Sequence, residues 1–252
     1  MDIALEILAL LFLVAVFAGF VDAVAGGGGL LTLPALVFAG VPPIAALATN
    51  KLQGSFASMA ATIHFSRRKV VDIRTIKWMV AAVFVASAIG SYVVQLIDNQ
   101  FLLTLMPIGL IAIALYSFFN KELGQKSEQA KLSDRQFSAS AAPAVGFYDG
   151  FFGPGTGTFF AISFVRLKGM DFVKATGHAK ALNFTSNIAS LTVFVFSGHV
   201  VWTVGLVMAA GAFTGGRIGA ATVISKGAGF VRALTVIVCI AISISLLIKQ
   251  FG

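Results

Sequence analysis

Gly19-Phe20-Val21-Asp22, followed by the glycine run Gly26-Gly27-Gly28-Gly29, returns later in the chain as Gly146-Phe147-Tyr148-Asp149, followed by Gly153-Pro154-Gly155-Thr156-Gly157. Outward from these stretches the matches continue in order. Lys51 finds Lys180, Lys69-Val70-Val71 finds His199-Val200-Val201, and Ile89-Gly90 finds Ile218-Gly219. The offset stays at about 127 to 130 positions, half the chain, as a duplicated unit requires.

The material between the matches is apolar. Apolar residues make up 58% of the 252 positions and charged residues 11%, against roughly 45–50% and 25% in soluble domains. A spanning helix needs about 20 residues, so the chain has room for roughly ten spans and almost no soluble domain. Apolar runs place candidate spans near 3–25, 28–41, 44–65, 75–97, 101–119, 137–152, 155–168, 174–197, 200–224 and 229–249. The runs at 28–41 and 155–168 are short and each begins at a Gly-rich break, which predicts half-helices or re-entrant segments. The expected organisation is a first membrane repeat over 1–119, a polar cytoplasmic linker over 120–136 and a second membrane repeat over 137–252.

The net charge of +8 does not point to nucleic acid, because the basic residues sit in the gaps between apolar runs. Arg67-Arg68-Lys69 with Arg74 and Lys77, then Lys121, Lys126, Lys131 and Arg135, then Arg166, Lys168 and Lys174, then Lys226 and Arg232 mark basic gaps. The gaps near Val41-Pro42-Pro43, Asp98-Asn99 and Ser197-Gly198-His199 have no Lys or Arg. Excess Lys and Arg marks cytoplasmic loops, so the alternation predicts a multi-pass protein of the cell inner membrane with both chain ends outside the cytoplasm. The N-terminus has no basic residue before Lys51, so the first apolar run reads as a retained span. A single Cys239 leaves neither a disulfide framework nor a cysteine metal site.

Repeat-equivalent loops differ in charge: Arg68-Lys69-Val70-Val71-Asp72 is basic, while Gly198-His199-Val200-Val201-Trp202 has no Lys or Arg. An odd number of crossings therefore separates them. The predicted fold is an all-α integral membrane protein of two inverted-topology repeats, about four to five helical segments each, with broken or half-helices at the Gly-rich breaks. That plan is common in secondary transporters and puts the binding site where broken helices meet.

Several groups are candidates for chemistry. Gly26, Gly27, Gly28 and Gly29, and Gly155, Thr156, Gly157 and Thr158, interrupt the backbone where irregular structure survives only if buried or lining a watery cavity. Helices restarting there offer free N–H groups to an anion; the alternative is that small residues only allow close helix packing. Asp22 and Asp149 are the carboxylates inside apolar runs and are repeat partners, read either as proton or ion coupling groups or as structural bridges. Lys51 and Lys180 lie inside their runs amid Thr49, Asn50 and Gln53, and His178 and Asn183. Two cations near two such breaks suit a small oxyanion, unless the lysines snorkel to the interface, and His178 is a candidate proton relay.

The order Gly26-Gly27-Gly28-Gly29-Leu30-Leu31-Thr32-Leu33-Pro34, Pro42-Pro43, Thr49-Asn50 and Gly198-His199-Val200 resembles the TauE/SafE-type sulfite exporter family across both halves. In its second half, Gly153-Pro154-Gly155-Thr156-Gly157-Thr158 brings Pro and Thr where glycine often continues, and this variant looks like the subgroup of membrane transporters with no assigned substrate. The resemblance implies a proton-linked or passive carrier for sulfite, sulfonates or related organic anions.

These readings converge on a secondary transporter, in the exporter direction, of a small anion, with proton coupling as an option. No cofactor, metal or catalytic residue is expected, and the partners are the lipid bilayer, the anion and a possible homodimer. An enzyme is disfavoured, since no His-Glu-x-x-His motif and no Gly-x-Ser-x-Gly elbow occurs. The rival reading is a passive anion channel or a non-transporting subunit of a larger complex.

Overall fold

The computed structural model describes residues 4–98, 100–102 and 129–225. The expected span near 229–249, nearly all of that near 101–119 and most of the 120–136 linker lie outside the described residues, as does Cys239.

The described residues are all-helical, with no strand among them. In chain order the helices are α1 (Leu5–Ala25), α2 (Gly29–Phe38), α3 (Pro43–Arg67), α4 (Lys77–Val94), α5 (Asp134–Ala139), α6 (Ala141–Phe151), α7 (Thr156–Lys168), α8 (Phe172–Phe196) and α9 (Trp202–Ser225). Three of them, α1, α4 and α9, are long and apolar enough to cross a membrane.

The local chemistry explains the boundaries. Gly26 ends α1 at φ +78°, its N–H returning to the Asp22 carbonyl, a backbone state that only glycine takes without strain. Pro43 opens α3 at a position where its missing N–H costs nothing. Asp171 caps α8 by accepting the Lys174 N–H at 3.0 Å. The second half begins slightly earlier than its apolar run does. Ser133 and Gln136 form a reciprocal capping box that starts α5 at Asp134, inside the expected linker, and the chain breaks at Ser140 before α6.

Length sorts the helices by role. At about 1.5 Å per residue α2 rises about 15 Å and α7 about 20 Å, short of a hydrocarbon core of about 30 Å. Helices α3 and α8, 25 residues each, are long enough but carry Asn50, Lys51 and Gln53, or Lys180, Asn183 and Asn187, all buried. Polar side chains at that depth need protein around them rather than lipid. Accordingly α3 and α8 pack together centrally, with Gly54 placed so that a Cβ would stand 3.1 Å from Asn187 Oδ1.

The remaining long helices pack crosswise between halves, through glycine. A methyl group on Gly19 of α1 would strike the Ala212 main chain of α9, and one on Gly146 of α6 would come within 3.1 Å of the Val83 main chain of α4. Likewise Gly219 of α9 abuts the Phe20 carbonyl, and Gly90 of α4 abuts the Phe147 carbonyl. Each contact in one pair has its repeat-equivalent in the other. Close backbone approach of this kind is how apolar helices associate in lipid, where dispersion replaces the hydrophobic effect.

Candidate functional site

The two Gly-rich breaks touch. A Cβ on Gly26 would overlap Gly157 and the Thr158 N–H, and one on Gly29 would lie 3.2 Å from the Pro154 Cα. With Gly153 at φ +100° and Gly155 at φ +77°, the second break turns through conformations closed to other residues, so that α7 restarts beside the end of α1.

Around this junction lies a cavity of about 390 Å³, its mouth included. Asp22, Gly26, Gly28 and Gly29 wall it from the first break; Asp149, Gly153, Gly155, Thr156 and Gly157 wall it from the second. Helix α3 adds Asn50, Gln53, Gly54 and Ala57, and α8 adds Asn183 and Asn187.

Behind the wall stand two ion pairs, each joining one half to the other. Lys51 Nζ of α3 is 2.7 Å from Asp149 Oδ1 of α6 and also donates to the Asp149 main-chain carbonyl. Lys180 Nζ of α8 is 2.9 Å from Asp22 Oδ2 of α1. Both lysines are 1% exposed, so they do not snorkel to an interface. Gly153 and Gly157 make room for them, since a Cβ there would stand 2.9 Å from Lys51 Nζ or 2.8 Å from Lys180 Nζ.

Asp149 is held from several sides. Its Oδ1 also accepts from Thr156 Oγ1 at 3.0 Å, and its Oδ2 accepts from Asn183 Nδ2 at 3.2 Å and from Ser186 Oγ. Among the described residues the Asp22 carboxylate has, besides Lys180, only the Gly28 N–H at 3.4 Å. A second polar knot joins α2 to α3, where Asn50 Oδ1 accepts from Thr32 Oγ1 at 2.6 Å and from Gln53 Nε2 at 2.7 Å. The Asn50 Nδ2 group and the N–H groups of Gly29 and Gly157 have no acceptor among the described residues. These donors belong to cavity-lining residues, which makes the site one that can accept lone pairs from an oxygen-rich solute.

Not every candidate residue reaches the cavity wall. Thr49 accepts the Val201 N–H at 3.1 Å and so serves the start of α9. His178 has Nδ1 2.8 Å from the Lys174 carbonyl and its ring 5.3 Å from that of Phe164. Thr158 Oγ1 donates to the Ala25 carbonyl and stitches α7 to the end of α1. Gly27 lies within the break without lining the cavity.

A helical membrane protein with paired breaks and buried lysine–aspartate pairs invites comparison with known families. The profile described as "Sulfite exporter TauE/SafE" matches residues 11–246. The chain belongs to the TauE/SafE sulfite exporter family. It is 47% identical to "Probable membrane transporter protein YfcA" of Escherichia coli (strain K12), over 98% of this chain and 91% of that one. It is 42% identical to "Probable membrane transporter protein" of Haemophilus influenzae, over 99% and 98% of the two chains. "Probable membrane transporter protein ORF9" of Sinorhizobium sp is also 42% identical, over 98% and 94%. No solved structure matches. This TauE/SafE member is therefore one of a family of membrane transporters, and its relatives are named as transporters rather than enzymes.

In this TauE/SafE chain the cavity also recruits residues that the pattern of polar groups alone does not single out. Ala18, Gly19, Gly54, Ala57 and Asn187 line it as well. Asn187 was within reach of sequence reasoning, because it follows Asn183 by one helical turn and shares its face. Ser186 and Thr32, buried beside the ionised and amide groups, carry no signal until the helices are placed.

Proposed function

We propose that this chain is a secondary carrier, working as an exporter, for a small anion such as sulfite, a sulfonate or a related organic anion. The observation that carries the reading is the single cavity on which both Gly-rich breaks and both lysine–aspartate pairs converge.

Charge accounting supports a coupled proton. Two buried lysines and two buried or half-buried aspartates sum to zero formal charge. An arriving monoanion leaves the site at minus one, and uncompensated charge at membrane depth is costly. A proton on Asp22 or Asp149 restores neutrality and frees a lysine for the anion. The Asn50 and Gln53 amides and the N–H groups at the two breaks then orient its oxygens.

The inverted-repeat reading has support from reciprocity. Lys51 with Asp149 and Lys180 with Asp22, Gly19 with Ala212 and Gly146 with Val83, are the same contacts exchanged between halves. The bare loop at Gly198-His199 against the basic one at Arg68-Lys69 favours halves of opposite orientation, residues 1–119 and 137–252 joined by 120–136. Rocking one half against the other around the central cavity gives alternating access. Positive loops toward the cytoplasm of the inner membrane put both chain ends outside.

The test is flux into liposomes of radiolabelled sulfite and sulfoacetate, with and without a pH gradient. Saturable flux that responds to the gradient is expected; no flux for either anion ends the proposal.

A further inference from the structure

The two ion pairs repeat in sequence but not in environment, and the difference assigns them separate tasks. Asp149 has a side chain 2% exposed and answers to Lys51, Thr156, Asn183 and Ser186, groups on α3, α7 and α8. Turning it away would take the carboxylate from the buried Lys51 ammonium of α3 and from the Asn183 amide of α8 at once, with Thr156 and Ser186 falling back on the Gly153 and Asn183 carbonyls. Asp22 has a side chain 15% exposed and, among the described residues and apart from Lys180, only a long contact to the Gly28 N–H at 3.4 Å. Besides Lys180, whose buried charge an arriving anion can match in its place, it would leave only the Gly28 N–H behind.

The breaks show the same imbalance. Tyr148 Oη donates to the Pro154 carbonyl at 2.6 Å, and Thr156 Oγ1 reaches both the Gly153 carbonyl at 2.6 Å and Asp149. In the Asp149 half the turn is therefore tied down by side chains. The first break has Val21 in place of Tyr148 and Gly29 in place of Thr156, and its side-chain ties among the described residues are the longer ones from the Gly28 N–H to Asp22 at 3.4 Å and from Thr32 Oγ1 to the Gly28 carbonyl at 3.2 Å.

Resting on the anion-carrier reading above, we infer that Lys51–Asp149 is a fixed strut and that Lys180 is the exchangeable cation: Asp22 occupies the seat that the anionic head of the substrate takes. In the structure Asp22 lies on the cavity wall and Lys180 directly behind it, its Nζ against Gly157. Asp22 is then an internal competitor of the transported anion. A sulfite, sulfonate or carboxylate head supplies the same paired oxygens to Lys180 as the carboxylate it displaces. No covalent step is involved.

Competition gives an outcome whose sign structural damage does not mimic. Equilibrium binding of radiolabelled sulfite, with sulfoacetate as competitor, is measured on the purified full-length protein and on Asp22→Asn, Lys180→Gln and Asp149→Asn. Asp22→Asn is expected to tighten sulfite binding at least about tenfold and Lys180→Gln to weaken it at least about tenfold. Asp149→Asn is expected to give no tightening and to lower the unfolding temperature more than Asp22→Asn does. Weakening in both Asp22→Asn and Lys180→Gln overturns the assignment, as does equal tightening in Asp149→Asn or unfolding of Asp22→Asn. If the unsubstituted protein binds and moves these anions, such results defeat the division of labour alone. Absence of binding in both the unsubstituted protein and Asp22→Asn defeats it together with the anion reading.

Discussion

Lys51 of α3 and Asp149 of α6 stand 2.7 Å apart, nearly sealed from solvent, and join the first half of the chain to the second. The lysine also reaches the Asp149 main-chain carbonyl, so the contact fixes the end of α6 as well as a side chain. Breaking a buried pair by removing one partner leaves the other charged and unmatched, which costs about 3–5 kcal/mol. Lys51→Met is therefore expected to lower stability by about that amount, and Lys51→Met with Asp149→Leu to recover part of it. Thermal unfolding in detergent measures both. A double variant that loses the sum of the Lys51→Met and Asp149→Leu losses would show that the pair carries no coupling.

Gly26 tests the meeting of the breaks. Any side chain there takes a left-handed backbone costing about 1–2 kcal/mol, and its Cβ also runs into Gly157 and Thr158. Gly40, at φ +83° with nothing within 4 Å of a Cβ, carries the backbone cost without the collision. Gly26→Ala should destabilise by more than Gly40→Ala, by about a further 1–3 kcal/mol, and should reduce anion flux sharply. Matching stabilities and matching flux in the two variants would remove the junction from the mechanism.

Helix association in lipid depends here on backbone approach. Gly150 of α6 faces the Ser87 carbonyl of α4, with no space for a methyl group. Gly150→Leu is expected to cost at least about 1–3 kcal/mol by overpacking and to reduce the folded fraction recovered from membranes, as size-exclusion profiles would record. A monodisperse peak of unchanged yield would contradict the packing.

Asn50 offers the cavity a free Nδ2 while its oxygen is held by Thr32 and Gln53. A lost hydrogen bond to a charged ligand is worth about 1.5–3 kcal/mol. The half-saturation concentration for sulfite should therefore rise on the order of tenfold or more in Asn50→Ala, read from initial rates in liposomes. An unchanged half-saturation would place the anion elsewhere.

Charge neutrality predicts that each monoanion moves with one proton equivalent. A pH-sensitive dye inside the liposomes should report acid movement in proportion to radiolabelled sulfite, at a ratio near unity once the protonation of sulfite in bulk is subtracted. Flux with no accompanying acid movement would point to a passive path.

Much of the architecture was legible because membranes restrict it. Apolar runs became helices at nearly the expected places, α1 at Leu5–Ala25 and α8 at Phe172–Phe196 among them, since a helix satisfies its own backbone in lipid. The short runs became the short helices α2 and α7. The capping box at Ser133 and Gln136 was less visible, because it extends helix into a polar stretch that hydropathy assigns to a linker. Of the candidate site residues, Asp22, Asp149, Asn50, Gln53 and Asn183 lie on one cavity, whereas Thr49 is taken by the distant Val201 N–H and His178 by the Lys174 carbonyl one turn away, partners that hydropathy does not reveal.

By itself, then, the sequence marked a membrane chain, an ordered series of matches between its halves, and polar groups clustered at four points along it. Those features are one-dimensional: hydropathy, period and composition. Which cluster faces which was decided only by the tertiary structure. Two lysines to which the sequence assigns no particular partner are each covered by an aspartate from the opposite half, because a buried charge in a low-dielectric interior must find its counterion wherever packing brings one. The same packing gave repeat-equivalent aspartates different neighbours, four donor residues around Asp149 and a nearly open side on Asp22. Sequence symmetry could not foretell that difference, since Thr156 and Ser186 act on Asp149 through space and have no counterparts of the same chemistry around Asp22 among the described residues.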